Sequence, residues 1–382
     1  MRILFATPAY WPAVAFGGPT RAAKELSESL VRAGHEVDVL TTSLRAIGEP
    51  PASRFATHTE TIGGVRVRYL ATPGRYRWMG ITPTLPLAWP WRTRPDVVHV
   101  FGYRDVVTTL TAAWARRLGI PYVFEPLDMF VPRFRNVPLK RAFDRALGKP
   151  VAHGAAVVVA CSEHERRQLA EAGLKRIEVR PNGFPAPQPN TGDGALRERL
   201  GLDGTARLAL YAGRVSFKKG LDLLLEAAAG IDGLHVAVVG PDDGDGTLGQ
   251  LEAQRAQLGL EHRFHLVGPL DMSRPGAVYG DADVFVLPSR NENFGIVAAE
   301  AAASGTPVVV TDRCGVAEFL DGAALVVGLD PNEIRDALAR LLSDTALHRQ
   351  LAEAGPRVAA GLSWDRVAQR QVELYELARE RR

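Results

Sequence analysis

Short β-branched runs alternate with helix-period segments along almost the whole chain, and one proline- and glycine-rich stretch interrupts them. That pattern constrains the fold more than any other feature, because strands alternating with helices imply parallel sheets covered by crossover helices. Ile3–Ala6, Glu36–Thr41, Val65–Leu70, Val97–Val100, Tyr122–Phe124, Val157–Ala160 and Ile177–Arg180 read as strands, with a helix from Thr20 to Ala33 after the first. The run from Arg180 to Gly194 then breaks the pattern at a density of proline and glycine that marks a linker. Alternation resumes with Leu208–Ala212, Val236–Val239, Phe264–Val267, Val284–Leu287 and Val308–Val310.

A chain of 382 residues exceeds what one hydrophobic core usually organises. The expected division is residues 1–180, a linker at 181–195, a second domain at 196–363, and a final helix at 364–382. Val367, Val372, Leu374, Tyr375 and Leu377 are candidates for that helix's buried face, which is expected to cross back and dock on the first domain. The fold class is α/β, with two Rossmann-like domains facing a cleft. Ligands are expected there, since open α/β sheets collect them at the carboxyl ends of strands.

A net charge of +3 does not call for nucleic acid. Cys161 and Cys314 are isolated and lack metal-ligand spacing, which favours a reducing compartment. The apolar run Ile3–Ala6 is too short for a signal-peptide core, and no stretch of about 20 apolar residues occurs. A cytoplasmic location is expected, with peripheral contact to the inner membrane surface as a further possibility. The basis for that contact is the mixture of aromatics and arginines at Arg75–Trp78 and Trp89–Arg94, continued by Arg133, Arg135, Lys140, Arg141, Arg145 and Lys149. A solvated, irregular insertion explains the same residues equally well.

The most informative segment runs from Pro288 to Pro307. It follows a strand and opens a helix, so Asn293, Phe294, Gly295 and Ile296 would offer backbone N–H groups at a helix N-terminus, a natural seat for a diphosphate. Glu300 lies about two turns beyond Glu292, about 12 Å away if the interval is wholly helical. It can accept from a vicinal diol such as ribose, while Glu292 is placed to accept from sugar hydroxyls nearer the reacting carbon.

Glu292-x7-Glu300, enclosing Phe294-Gly295-Ile296 and followed by Gly305-Thr306-Pro307, resembles the donor-site motif of glycosyltransferase family 4. The resemblance spans nearly the whole chain, including Pro181-Asn182-Gly183 and Ser363-Trp364. It implies the GT-B fold, transfer with retention at the anomeric carbon, no metal, and no cofactor beyond a nucleotide-diphosphate sugar (UDP- or GDP-linked) as co-substrate. The acceptor would be a glycan, a lipid-linked molecule or a small molecule, as in polysaccharide biosynthesis. It also matches Arg214 and Lys219 to the family's Gly-Arg-x4-Lys-Gly pattern, where the pair would clamp the diphosphate; Lys218 reads as solvated. Gly17 and Gly18 match the loop that closes on the diphosphate, and Thr20 is a candidate helix cap.

The chain departs from the family at Leu127, where many members carry a histidine near the donor sugar. That role would be vacant or would pass to Glu125 or Asp128. His99 reads first as a satisfied buried histidine, with contact to sugar or acceptor as the alternative. Asp242, Asp243 and Asp245 resemble a metal site only loosely and are read as a surface loop. Two other functions fit the same outline: a sugar-nucleotide epimerase of GT-B form and a non-catalytic nucleotide-sugar sensor. A nicotinamide dehydrogenase is disfavoured, because no strand is followed by Gly-x-Gly-x-x-Gly.

Overall fold

The computed structural model describes residues 1–46, 49–76, 79–89, 94–133, 136–186, 192–270 and 275–381. They form two compact units, Met1–Gly183 with Trp364–Arg382, and Phe184–Ser363.

In the first unit an eight-stranded sheet runs in the order Ile177–Val179, Val157–Ala160, Tyr122–Glu125, Val97–Phe101, Arg2–Ala6, Glu36–Thr42, Val65–Leu70, His58–Ile62. All neighbours are parallel except the last pair. The central strands are buried throughout, as Val97–Phe101 and Val157–Ala160 illustrate. This is why their sequences read as near-continuous apolar runs, with His99 the one polar residue in those two. The edge strand His58–Ile62 exposes most of its residues, so its polar sequence carries no strand signal.

The second unit is a six-stranded parallel sheet, in the order Phe264–Gly268, Leu234–Val239, Arg207–Ala212, Val284–Leu287, Val308–Thr311, Ala324–Val327. Among the parallel strands of each sheet the order reverses once. The reversal falls between Arg2–Ala6 and Val97–Phe101 in the first and between Arg207–Ala212 and Val284–Leu287 in the second. Such switch points leave a crevice at the strands' carboxyl ends, where doubly wound sheets bind ligands.

The units divide at Gly183/Phe184, inside the expected linker. Phe184 N–H donates to the Leu362 carbonyl (2.8 Å) and its ring lies 6.0 Å from that of Phe294. Asp281 accepts the N–H groups of Gly194 and Leu196 (2.8 Å each), which ties the far end of that stretch to the second unit as well. Residues 187–191 of the linker lie outside the described residues.

The last helix, Trp364–Glu380, belongs to the first unit and buries Val367, Ala368, Gln371, Leu374, Tyr375 and Ala378. Val372 and Leu377 are only half-buried, one position off the buried stripe. The two chain crossings pack together: a Cβ on Gly183 would lie 2.8 Å from the Trp364 Cα, so only glycine fits.

Among the aromatics considered for membrane contact, Trp89 is a core residue. It is 3% exposed and packs edge-on against Trp114 with ring centroids 5.5 Å apart. Arg77, Trp78, Trp91, Arg92 and Arg135 lie outside the described residues. Among the described residues no helix is long and apolar enough to cross a membrane.

Candidate active site

Two loops leave the switch point of the second sheet, Gly213–Gly220 after Arg207–Ala212 and Pro288–Gly295 after Val284–Leu287. Their close approach depends on glycine. Gly220 has φ +65° and a Cβ there would collide with the Pro288 carbonyl. Arg290 N–H donates to the Lys218 carbonyl (2.9 Å), and the Arg290 guanidinium stacks on Phe217 while pairing with Asp222. Lys218 is therefore built into this junction through its backbone.

Laced in this way, the loops bring Lys219 Nζ onto Glu292 Oε2 as a direct ion pair, with both side chains about one-sixth exposed (15% and 16%). Burial alone would raise the Glu292 carboxyl. The nearby Lys219, Lys218 and Arg214 charges outweigh it and hold the group below the usual carboxylate range, so Glu292 is ionised at neutral pH. Its backbone is fixed too: its N–H donates to the Arg313 carbonyl (3.0 Å) and its carbonyl accepts from Gly315 N–H (3.1 Å).

The helix starts only at Ile296, capped by Gly295 at φ +103°. The interval from Glu292 to Glu300 is thus part loop and part helix, and the separation expected for a continuous helix does not apply. The cause is local. The backbone pairing to 313–315 holds Glu292 in a bridge, and a Cβ at Gly295 would lie 2.9 Å from Leu287 and 3.1 Å from Val316. The helix N-terminus still directs its first N–H groups out of the helix, without intrahelical acceptors. Phe294 contributes no side chain to that opening: it is 2% exposed, packed between Phe184 and Phe319. Glu300, 5% exposed, accepts a hydrogen bond from Tyr279 Oη (2.8 Å), which orients its carboxylate from within the core.

Arg214 is 44% exposed and donates to Asp243 (2.7 Å), while its carbonyl accepts from the buried Tyr211 hydroxyl (2.8 Å). Asp245 accepts from Phe217 N–H (3.0 Å) and Thr247 N–H (3.0 Å). The acidic turn is therefore more than a surface loop: it supports the loop that carries Arg214 and Lys219. Nothing in the sequence pairs these loops, since 29 residues separate Arg214 from Asp243. Among the described residues no group of three His, Cys, Asp or Glu side chains is gathered as a metal site.

In the first unit Gly17 (φ +83°, ψ −152°) caps the helix Gly18–Arg32. Thr20 is not the cap. It sits in the first turn, buried, with its N–H donated to the Gly17 carbonyl (3.2 Å).

Of the candidates for contact with sugar or acceptor, Glu125 is relocated to the interior, and His99 is the buried histidine that it first reads as. His99 and Glu125 have fully buried side chains. Glu125 pairs with the equally buried Arg180, and His99 Nδ1 lies 2.8 Å from the Tyr375 hydroxyl and its Nε2 3.2 Å from Glu125. Burial lowers the His99 pKa against the pull of Glu125, leaving a neutral imidazole; Arg180 and His99 overcome burial to keep Glu125 ionised. These groups hold strand ends and the last helix together and are not available to a ligand. Asp128 stays near the surface, 3.4 Å from Arg133.

The family described as glycosyl transferases group 1 matches residues 193–358, and the glycosyl transferase 4-like domain matches residues 17–183. A D-inositol 3-phosphate glycosyltransferase of Xylanimonas cellulosilytica is 32% identical over 96% of this chain and 93% of its own. The chain belongs to the group 1 glycosyl transferases. It is a nucleotide-sugar-dependent glycosyltransferase of the retaining type. Its fold is GT-B. Sucrose-phosphate synthase from Thermosynechococcus elongatus superposes with a TM-score of 0.76 at 21% identity, covering 98% of each chain. Anabaena HepE in complex with UDP-glucose superposes with a TM-score of 0.74 at 18% identity, covering 98% of this chain and 99% of its own.

Proposed function

We propose that the unit Phe184–Ser363 holds a UDP-linked hexose and that the chain transfers the sugar, without a metal, to a hydroxylated acceptor held by the first unit. The observation that carries this reading is the convergence of Arg214, Lys219, Glu292 and the Ile296 helix N-terminus on one switch point. Fixed cations beside a helix N-terminus suit a diphosphate leaving group, whose charge grows as the glycosidic bond breaks. Glu300 would accept from the ribose diol. Glu292, held by Lys219, would accept from sugar hydroxyls. The departing phosphate would take the acceptor proton on the face it leaves, consistent with retention.

The donor is proposed from the UDP-glucose bound by HepE, and the first acceptor to try is the D-inositol 3-phosphate of the relative's name. The test is turnover with a panel of UDP-, GDP- and ADP-sugars, with and without that acceptor. Acceptor-dependent release of nucleotide supports the reading, whereas conversion of the donor sugar without any acceptor would replace it with an epimerase.

Two further expectations follow from the geometry. Because Arg214 and Lys219 supply the cations, activity is expected to survive EDTA; abolition by chelator with recovery on adding Mg²⁺ or Mn²⁺ would overturn metal independence. The two glutamates are expected to separate kinetically. Glu300→Gln should raise donor KM with little change in kcat, because ribose is bound equally in the ground and transition states. Glu292→Gln should fall mainly on kcat, since Lys219 loses its partner next to the reacting centre. Intact-protein mass spectrometry after incubation with donor should detect no glycosyl adduct. A stable sugar mapped to Glu292 would show a covalent route instead.

A further inference from the structure

The turn that follows strand Tyr122–Glu125 is conformationally expensive. Met129 N–H donates to the Pro126 carbonyl (3.0 Å), closing a turn whose two central residues, Leu127 (φ +54°) and Asp128 (φ +60°), are both left-handed. That is the backbone of a type I′ turn, which strongly favours asparagine and glycine and here carries leucine and aspartate. Such strain persists only where the surroundings over-determine it, and it concentrates at functional sites.

The surroundings do over-determine it. Glu165, 2% exposed in the first turn of helix Glu163–Glu171, accepts Asp128 N–H through one oxygen (2.9 Å) and Cys161 N–H through the other (2.7 Å). From the other side Arg104 donates to the carbonyls of Met129 and Phe130 (2.8 Å to Phe130), with its guanidinium also held by Asp144. Arg104 and Asp144 are each 9% exposed. A nearly buried carboxyl group, its pKa pushed up by burial to about 8, and a nearly buried guanidinium are thus committed to one short backbone segment. The segment lies at the carboxyl end of a central strand, where open α/β sheets bind ligands. It presents the Asp128 carboxylate beside Arg133.

We propose that Glu165 and Arg104 are positioning residues for the acceptor, acting through the turn 126–130 whose backbone they hold. The proposal rests on the reading that the first unit holds the acceptor.

Glu165→Met keeps the volume of the side chain and removes both acceptor oxygens; Glu165→Gln keeps one. Hydrogen exchange of the Asp128 amide, which needs no substrate, is expected to accelerate at least tenfold in Glu165→Met and less in Glu165→Gln. With UDP-glucose and D-inositol 3-phosphate, or whichever pair the panel identifies, kcat/KM for the acceptor should fall at least tenfold in Glu165→Met. The affinity for UDP should stay within twofold. Adding Leu127→Gly should restore part of the loss, because glycine adopts positive φ without steric cost.

Unchanged exchange at Asp128 would overturn the positioning role. Faster exchange with unchanged acceptor kinetics would overturn the acceptor role. An equal fall in UDP affinity would reduce Glu165 to a general stabiliser and sink the proposal. Absence of turnover with every pair would count against the transferase reading, while exchange would still decide whether Glu165 holds the turn. If Glu165→Met does not fold, Arg104→Lys, which keeps the charge but loses the fork, is expected to show the same split between acceptor and UDP.

Discussion

Arg214→Ala is expected to lower turnover by about a hundredfold or more, the scale on which one preorganised group facing transition-state charge contributes. The structure sharpens the expectation by showing how the arginine is held. Its carbonyl is bonded to the buried Tyr211 and its guanidinium to Asp243, so the side chain is oriented before any ligand arrives. Being about half exposed, it contributes little to folding, since exposed ion pairs add only about 0–1 kcal/mol. The loss should therefore appear in kcat/KM with the melting temperature nearly unchanged. Arg214→Lys should recover only part, because an ammonium cannot bridge two phosphate oxygens as a guanidinium does. Near-normal kcat in the alanine variant would remove Arg214 from the phosphate clamp.

The largest effect on stability is expected from Glu125→Ala. Glu125 and Arg180 have fully buried side chains and pair directly, so deleting the carboxylate strands a guanidinium that cannot shed its charge. Breaking one side of such a pair costs about 3–5 kcal/mol, which for a unit of this size lowers Tm by roughly 10 °C. His99 and Tyr375 adjoin the same pair, so the docking of the last helix should loosen with it. The double change Glu125→Met with Arg180→Met should be far less damaging than either single change, because it removes both charges at once. Calorimetric melting of the double variant and of each single variant checks this. A Glu125→Ala protein of normal Tm that had lost only acceptor turnover would return Glu125 to the substrate site.

The strand pattern was legible because the central strands are parallel and buried on both faces, so that runs such as Val97–Phe101 and Val308–Thr311 are buried at every position and apolar at all but one. His58–Ile62 carries no such signal, because an exposed antiparallel edge need not be apolar. Glu292, Glu300, Arg214 and Lys219 were legible because each follows a strand at an offset that brings it to the carboxyl end of the sheet.

What only the tertiary structure decided is which groups face each other. Sequence alone set Asp243 apart as an acidic turn. The close packing of Gly213 and Gly240 places that turn beside Arg214, since a Cβ at Gly240 would collide with Gly213. Sequence alone marked His99 and Glu125 as polar residues at strand ends. Whether such residues open to a ligand or close on one another depends on what is packed above them, and here Arg180 and the last helix's Tyr375 arrive from 55 and 276 residues away. Local periodicity records the face on which a side chain lies. It carries no information on a partner supplied by a distant segment, and a buried charge depends on that partner for its ionisation and its role.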